Sequence, residues 1–361
     1  MKLHVFILPL LLLKVSFSNA QTCHCTELEA DKEISIATLL NSKTDFCTAK
    51  GFEKLASQFL DEKKLDSAAH YLGLAETLFQ KEACKTAQWI TIYKLRSALH
   101  FSLAEYEKAL DYSLKMLALS QEKGNKEEEA ELLLGISQIF ARLKQLEKGL
   151  TYVRQSLPLI ETLQPGPSKV DLLNKAGSRF YFFFQDTKSV PLYDSAKLYF
   201  TLALQIAKTI NYKKGMQVSY NKMNSLAYQQ KNFELSLRYI DSSIALSEPG
   251  KINNTIATSF GDKGNILLKL GRFREAKKWA DSCLYYNQEL KFPPLIANAY
   301  SLVAEIADSL GDFASAYHAL YLEKKITDSL NTAENAKAVT EVEKKYIQAK
   351  NEKTIRELNQ Q

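Results

Sequence analysis

Cys23-His24-Cys25 is a tight cluster of side chains able to ligate a metal in this chain of 361 residues. Thiolates and an imidazole in that spacing suit zinc, but a tetrahedral site wants a second pair, and none stands beside them. Cys47, Cys84 and Cys283 are the remaining cysteines. In an exported chain the alternative chemistry is a disulfide from Cys47 to Cys23 or Cys25, pinning the N-terminal segment to the first helices. The histidines at 4, 24, 70, 100 and 318 show no H-E-x-x-H or similar spacing. No nucleophile elbow and no phosphate-binding glycine loop occurs either. Gly261-Asp262-Lys263-Gly264 imitates such a loop, but it falls inside a helical pattern whose amides are already bonded. The expectation is a chain that is not an enzyme and carries no catalytic, metal or cofactor site.

The elements that would position any site are repeated. From Gly264 to Leu290 small and apolar residues recur at spacings of three and four on either side of Gly271-Arg272-Phe273. That is helical spacing around a tight turn, a helical hairpin. Its small residue Ala276 has counterparts at Ala68, Ala109, Gly149, Ala196, Ser236 and Ala316, with successive separations of 41, 40, 47, 40, 40 and 40. A large residue stands three before each: Leu65, Tyr106, Leu146, Tyr193, Phe233, Phe273 and Phe313. An aromatic follows three after in most, from Tyr71 to Trp279. The separation of 47 marks a seven-residue insertion around Asp186 to Leu192. Just before it, Arg179 is followed by five aromatics, Tyr181 among them, from Phe180 to Phe184; one helix cannot turn all of these to one core. The expectation is that an inserted loop, with Pro191 and Leu192 folded back, covers the surplus.

Composition agrees with an all-α chain: 13 glycines and 8 prolines leave few breakers, and 46% hydrophobic residues can fill a large core. The formal charge of +6 arises from 47 basic and 41 acidic residues interspersed along the chain, which argues against nucleic acid as a partner.

This grammar resembles the tetratricopeptide repeat (TPR) family over roughly residues 51 to 328. Gly264, Gly271, Phe273 and Ala276 match the family pattern, as do Ala304, Gly311, Phe313 and Ala316. The period of about 40 exceeds the ~34 usual for the family, which implies longer helices or loops. The resemblance implies an α-solenoid of about seven hairpins that acts by binding, the first helix of each unit lining a concave groove. On that face fall Gln138 and Arg142; Asn174, Ser178 and Tyr181; Asn221, Ser225 and Tyr228; Asn265 and Lys269. Amides and hydroxyls mixed with tyrosine suit an extended peptide, and Glu305 with Asp308 would make the far end acidic.

The termini give an address. Residues 1–20 carry Lys2, an apolar run from Val5 to Leu13 and a small-x-small site at Ser18 to Ala20, the pattern of a cleaved signal peptide. An exported, periplasmic or extracytoplasmic protein is expected, with residues 21–50 as an N-terminal cysteine-containing segment and no membrane span within the chain. Residues 329–361 are charged, and Val339, Val342, Tyr346 and Ala349 step by three, four and three, so a C-terminal helix either packs alone or forms a homodimer seam. Signal, long TPR units and this tail together resemble the periplasmic sensor half of bacterial TPR-containing two-component sensor kinases. That implies a protein- or peptide-binding sensing or scaffolding part; the alternative is a free periplasmic adaptor or chaperone without an output domain.

Overall fold

The computed structural model describes residues 35–81, 87–247 and 253–330; the signal sequence, the Cys23-His24-Cys25 cluster, Cys84 and the Val339 to Ala349 stripe lie outside them. Among the described residues there are fifteen helices and no strand. The chain divides into two compact units, Met1–Lys144 and Gln145–Gln361.

The first unit holds α1 (Ile36–Leu40), α2 (Asp45–Asp61), α3 (Leu65–Lys81), α4 (Ala87–Ser102), α5 (Tyr106–Lys123) and α6 (Lys126–Arg142). Thr44 caps α2 by accepting from the Cys47 N–H at 3.3 Å, so this helix opens at Asp45. Cys47 sits fully buried on that helix and is disulfide-bonded, its partner lying outside the described residues. Helices α2 and α3 pack on each other around Phe46, Ala56, Ala68, Leu72 and Phe79, and α2 also touches α4.

The second unit holds α7 (Leu146–Thr162), α8 (Pro167–Thr187), α9 (Val190–Thr209), α10 (Lys213–Gln229), α11 (Phe233–Ala245), α12 (Asn254–Lys269), α13 (Phe273–Glu289), α14 (Pro293–Ser309) and α15 (residues 313–330). Neighbours in sequence pack as hairpins, α8 on α9, α10 on α11 and α12 on α13; first helices also meet first helices, α8 with α10 and α12 with α14. Hydrogen bonds from Asn224 to Asp262 and from Ser259 to Asn221 join α10 to α12, so α8, α10 and α12 follow one another side by side.

The small-residue register holds in three dimensions. Ala68, Ala109, Gly149, Ala196, Ser236, Ala276 and Ala316 are all buried. Five residues before the small position the backbone turns left-handed in six of the seven units, at Lys63, Ala104, Lys144, Lys231, Gly271 and Gly311. The next N–H reaches back five residues, as from Lys64 to the Phe59 carbonyl and from Arg272 to the Leu267 carbonyl, which closes the first helix with a Schellman cap. Only the last two units use glycine there, which is why their turns alone were plain in the sequence.

The insertion is not a loop. Its residues lengthen α8 to 21 and α9 to 20 residues, and only Lys188 and Ser189 separate the two helices. The aromatic run is therefore covered by helices, because α8 is crowded on several sides. Phe180 stacks on Tyr199 at 5.5 Å and Phe184 meets Tyr193 edge-on at 5.3 Å. Phe183 lies against Gly149 of α7, where an added Cβ would stand 2.5 Å from the ring.

The α8–α9 approach depends on Gly177. A Cβ there would meet Phe200 at 2.6 Å and the Ala196 carbonyl at 3.2 Å. Gly177→Ala is expected to destabilise the second unit by about 1–3 kcal/mol, since overpacking outweighs the gain in helix propensity. A urea titration followed by circular dichroism checks this; an unchanged or raised midpoint would show that the helices separate at no cost.

Candidate functional site

Across α8, α10 and α12 runs a polar cleft of about 350 Å³. Tyr181 and Gln185 line it from α8, Asn224, Ser225, Tyr228 and Gln229 from α10, and Asp262, Asn265 and Ile266 from α12. Each helix contributes residues three or four apart, so one face of each first helix supplies the wall.

Local bonds aim these side chains. Ser225 donates to the Asn221 carbonyl at 3.1 Å, and the Tyr181 hydroxyl donates to the Ser225 carbonyl at 3.5 Å, tying α8 to α10. Tyr228 is held edge-on against Phe233 at 5.4 Å. Burial holds both tyrosine hydroxyls above their ordinary titration, aided at Tyr228 by Glu305 and Asp262.

A relay of three residues sets the charged group of the cleft. The buried Ser236 hydroxyl donates to Asn224 Oδ1 at 2.6 Å, which turns Asn224 Nδ2 toward Asp262 Oδ2 at 3.2 Å. Asp262 forms no ion pair among the described residues. Burial pushes its carboxyl up to about 6, and Lys222 opposes that only in part. Lys222 is itself lowered, first by burial and then by the Arg179 charge. Beneath lies Cys283, a buried free thiol raised to about 11 by burial and by Asp262, with Asn287 donating to its Sγ at 3.3 Å.

Of the expected groove residues, Tyr181, Ser225, Tyr228 and Asn265 line this cleft. Asn174 does not face a groove: it is buried, donating to Ser219 Oγ at 3.0 Å and accepting from the same hydroxyl at 3.1 Å. A buried amide must spend its bonds inside the protein, and these join α8 to α10. Ser178 turns back to the Asn174 carbonyl, and Asn221 accepts from Ser259 at 3.4 Å. Lys269 is exposed and outside the lining. In the first unit Gln138 borders a separate, more apolar cleft of about 440 Å³ with Ile90, Phe101, Met116, Leu132 and Ile139, while Arg142 lies over the Phe101 ring at 5.9 Å.

Gln185, Asn224, Gln229, Asp262 and Ile266 line the cleft outside the expected groove set, Asp262 standing out in the sequence only within the imitation of a phosphate loop. Each stands three or four residues from a residue that was named, so a stripe one turn wider would have included them.

No family model and no curated protein matches the sequence. Solved structures do resemble the fold. Aspartyl phosphate phosphatase F from Bacillus subtilis is 17% identical with a TM-score of 0.52, the match covering 83% of this chain and 86% of that one. NprR in complex with its cognate peptide NprX is 15% identical at 0.52, over 83% and 82%. BtubC from P. vanneervenii is 13% identical at 0.53, over 66% and 92%. At these identities the likeness is one of fold, and the chain is an all-α solenoid of the TPR type.

Proposed function

We propose that the chain is a binding module rather than a catalyst, and that the α8–α10–α12 cleft takes an extended segment of a peptide or protein. The observation that carries this is the lining itself: two tyrosines with amides and a hydroxyl from three neighbouring first helices, in a cleft of the size that holds ligands. NprR, which has this fold, forms a complex with its cognate peptide NprX, which supports a peptide ligand. The signal pattern at residues 1–20 and the disulfide at Cys47 support export to an oxidising compartment. With the resemblance of the tail to sensor kinases, they favour the sensing or scaffolding part of a bacterial signalling protein, with homodimerisation through the C-terminal helix.

Fluorescein-labelled pools of random octapeptides, titrated by anisotropy, test the binding reading. Tyr181→Ala/Tyr228→Ala is expected to weaken binding about ten-fold or more, since aromatic anchors dominate such contacts, while Lys197→Ala on α9 leaves it unchanged. Equal binding by wild type and the double variant would move the site elsewhere, and no binding by wild type would remove the reading.

A further inference from the structure

We propose that the cleft recognises a cationic nitrogen of its peptide ligand, an arginine or lysine side chain or a free amino terminus, through Asp262. The inference rests on the peptide-binding reading above and adds the ligand's chemistry.

Three features of the geometry carry it. Asp262 is the one charged residue in the lining, so the cleft presents a single negative group among neutral ones. The carboxylate is oriented but not neutralised: Asn224, itself fixed by Ser236, takes one position on Oδ2, and no lysine or arginine reaches ion-pair distance among the described residues. A carboxylate has about four lone-pair sites, so acceptor capacity remains. The other walls also suit a cation, since Gln185, Gln229 and Asn265 carry amide oxygens and Tyr181 and Tyr228 carry ring faces. An anionic ligand would meet an uncompensated carboxylate.

The charged and titratable groups around Asp262 come from several helices. Arg179 projects from α8, Lys222 and Tyr228 from α10, Cys283 from α13 and Glu305 from α14; on its own helix, Lys263 is engaged by Asp241 at 2.6 Å and by the Trp279 ring. Lys222 is the cation that opposes protonation of Asp262, and it does not line the cleft. A ligand cation would therefore reach the carboxylate directly and hold it ionised; protonation would remove the attraction.

The test uses octapeptide pools, acetylated and amidated, that differ at one fixed position carrying arginine or citrulline, with a third pool that has citrulline and a free amino terminus. Citrulline keeps the shape and loses the charge. Anisotropy is measured at about pH 7.5 and about pH 5, on either side of the Asp262 titration. Expected is a preference of about ten-fold or more for arginine over citrulline at the higher pH, shrinking severalfold at the lower. Asp262→Asn should show no preference at either pH while keeping its circular dichroism. If the free-amine citrulline pool binds more tightly than both acetylated pools, the cation is the amino terminus, within the same proposal. Equal binding of wild type by all three pools overturns it and leaves the peptide groove standing; failure of every pool to bind wild type overturns both.

Discussion

Truncating Phe200 to alanine is expected to cost the second unit about 3–5 kcal/mol, the range for emptying a fully buried aromatic site. Phe200 has no exposed surface. Its ring occupies the space that Gly177 leaves by lacking a Cβ, between α8 and α9. The two helices are joined by only two residues and packed along their lengths, so they have little freedom to close the void. Urea unfolding followed by helicity reads the effect. A loss below about 1 kcal/mol would mean that the hairpin collapses onto the gap. The pair also predicts coupling: Gly177→Ala should be nearly harmless in the Phe200→Ala background, because the new methyl then enters the cavity instead of striking the ring. Additive losses would show that the contact between Gly177 and Phe200 is not what limits the approach of the helices.

Asp262→Asn is expected to stabilise the protein at neutral pH while removing cation recognition. A carboxyl raised from its ordinary 3.8 to about 6 binds protons more tightly in the folded chain than in the unfolded one. Stability from this group is therefore greatest below about 3.8, falls as pH rises to about 6, and stays reduced above. The displacement corresponds to a penalty on the order of 3 kcal/mol at pH 7, an upper bound because the amide keeps some cost of burial. Comparing wild type with the variant across that pH range isolates the group: a gain of about 1–3 kcal/mol near pH 7 that vanishes near pH 4 is the expected result. A variant less stable than wild type at pH 7 would mean that the Asn224–Asp262 contact stabilises the fold more than burial of the charge opposes it. A group retained at such a cost fits a site kept for binding.

How much was legible in the sequence depended on the scale of each feature. The small residues from Ala68 to Ala316 announced themselves because close helix approach admits few side chains at that position. The left-handed turn residues at Lys63, Ala104, Lys144 and Lys231 did not, since a Schellman cap is held by backbone hydrogen bonds that a lysine can also make. The seven extra residues were visible as a number but not as a shape. Asp186 and Thr187 continue α8, and Val190, Pro191 and Leu192 open α9 with a proline in its first turn, so they extend the two helices instead of forming a loop.

The cleft shows the division most sharply. Tyr181, Ser225, Tyr228 and Asn265 could be placed by counting, because helical periodicity is local and survives translation from one unit to the next. Asn174 and Asn224 are both buried amides on first helices, and nothing local separates them. One meets Ser219 and is consumed between helices; the other meets Ser236 and Asp262 and becomes part of the cleft. By itself the sequence determined the helices, their register and the hairpin repeat, since these follow from spacing along one chain. Only the tertiary structure decided which polar groups are spent on one another and which carboxyl lines the cleft, because that depends on partners brought together from about 40 residues away.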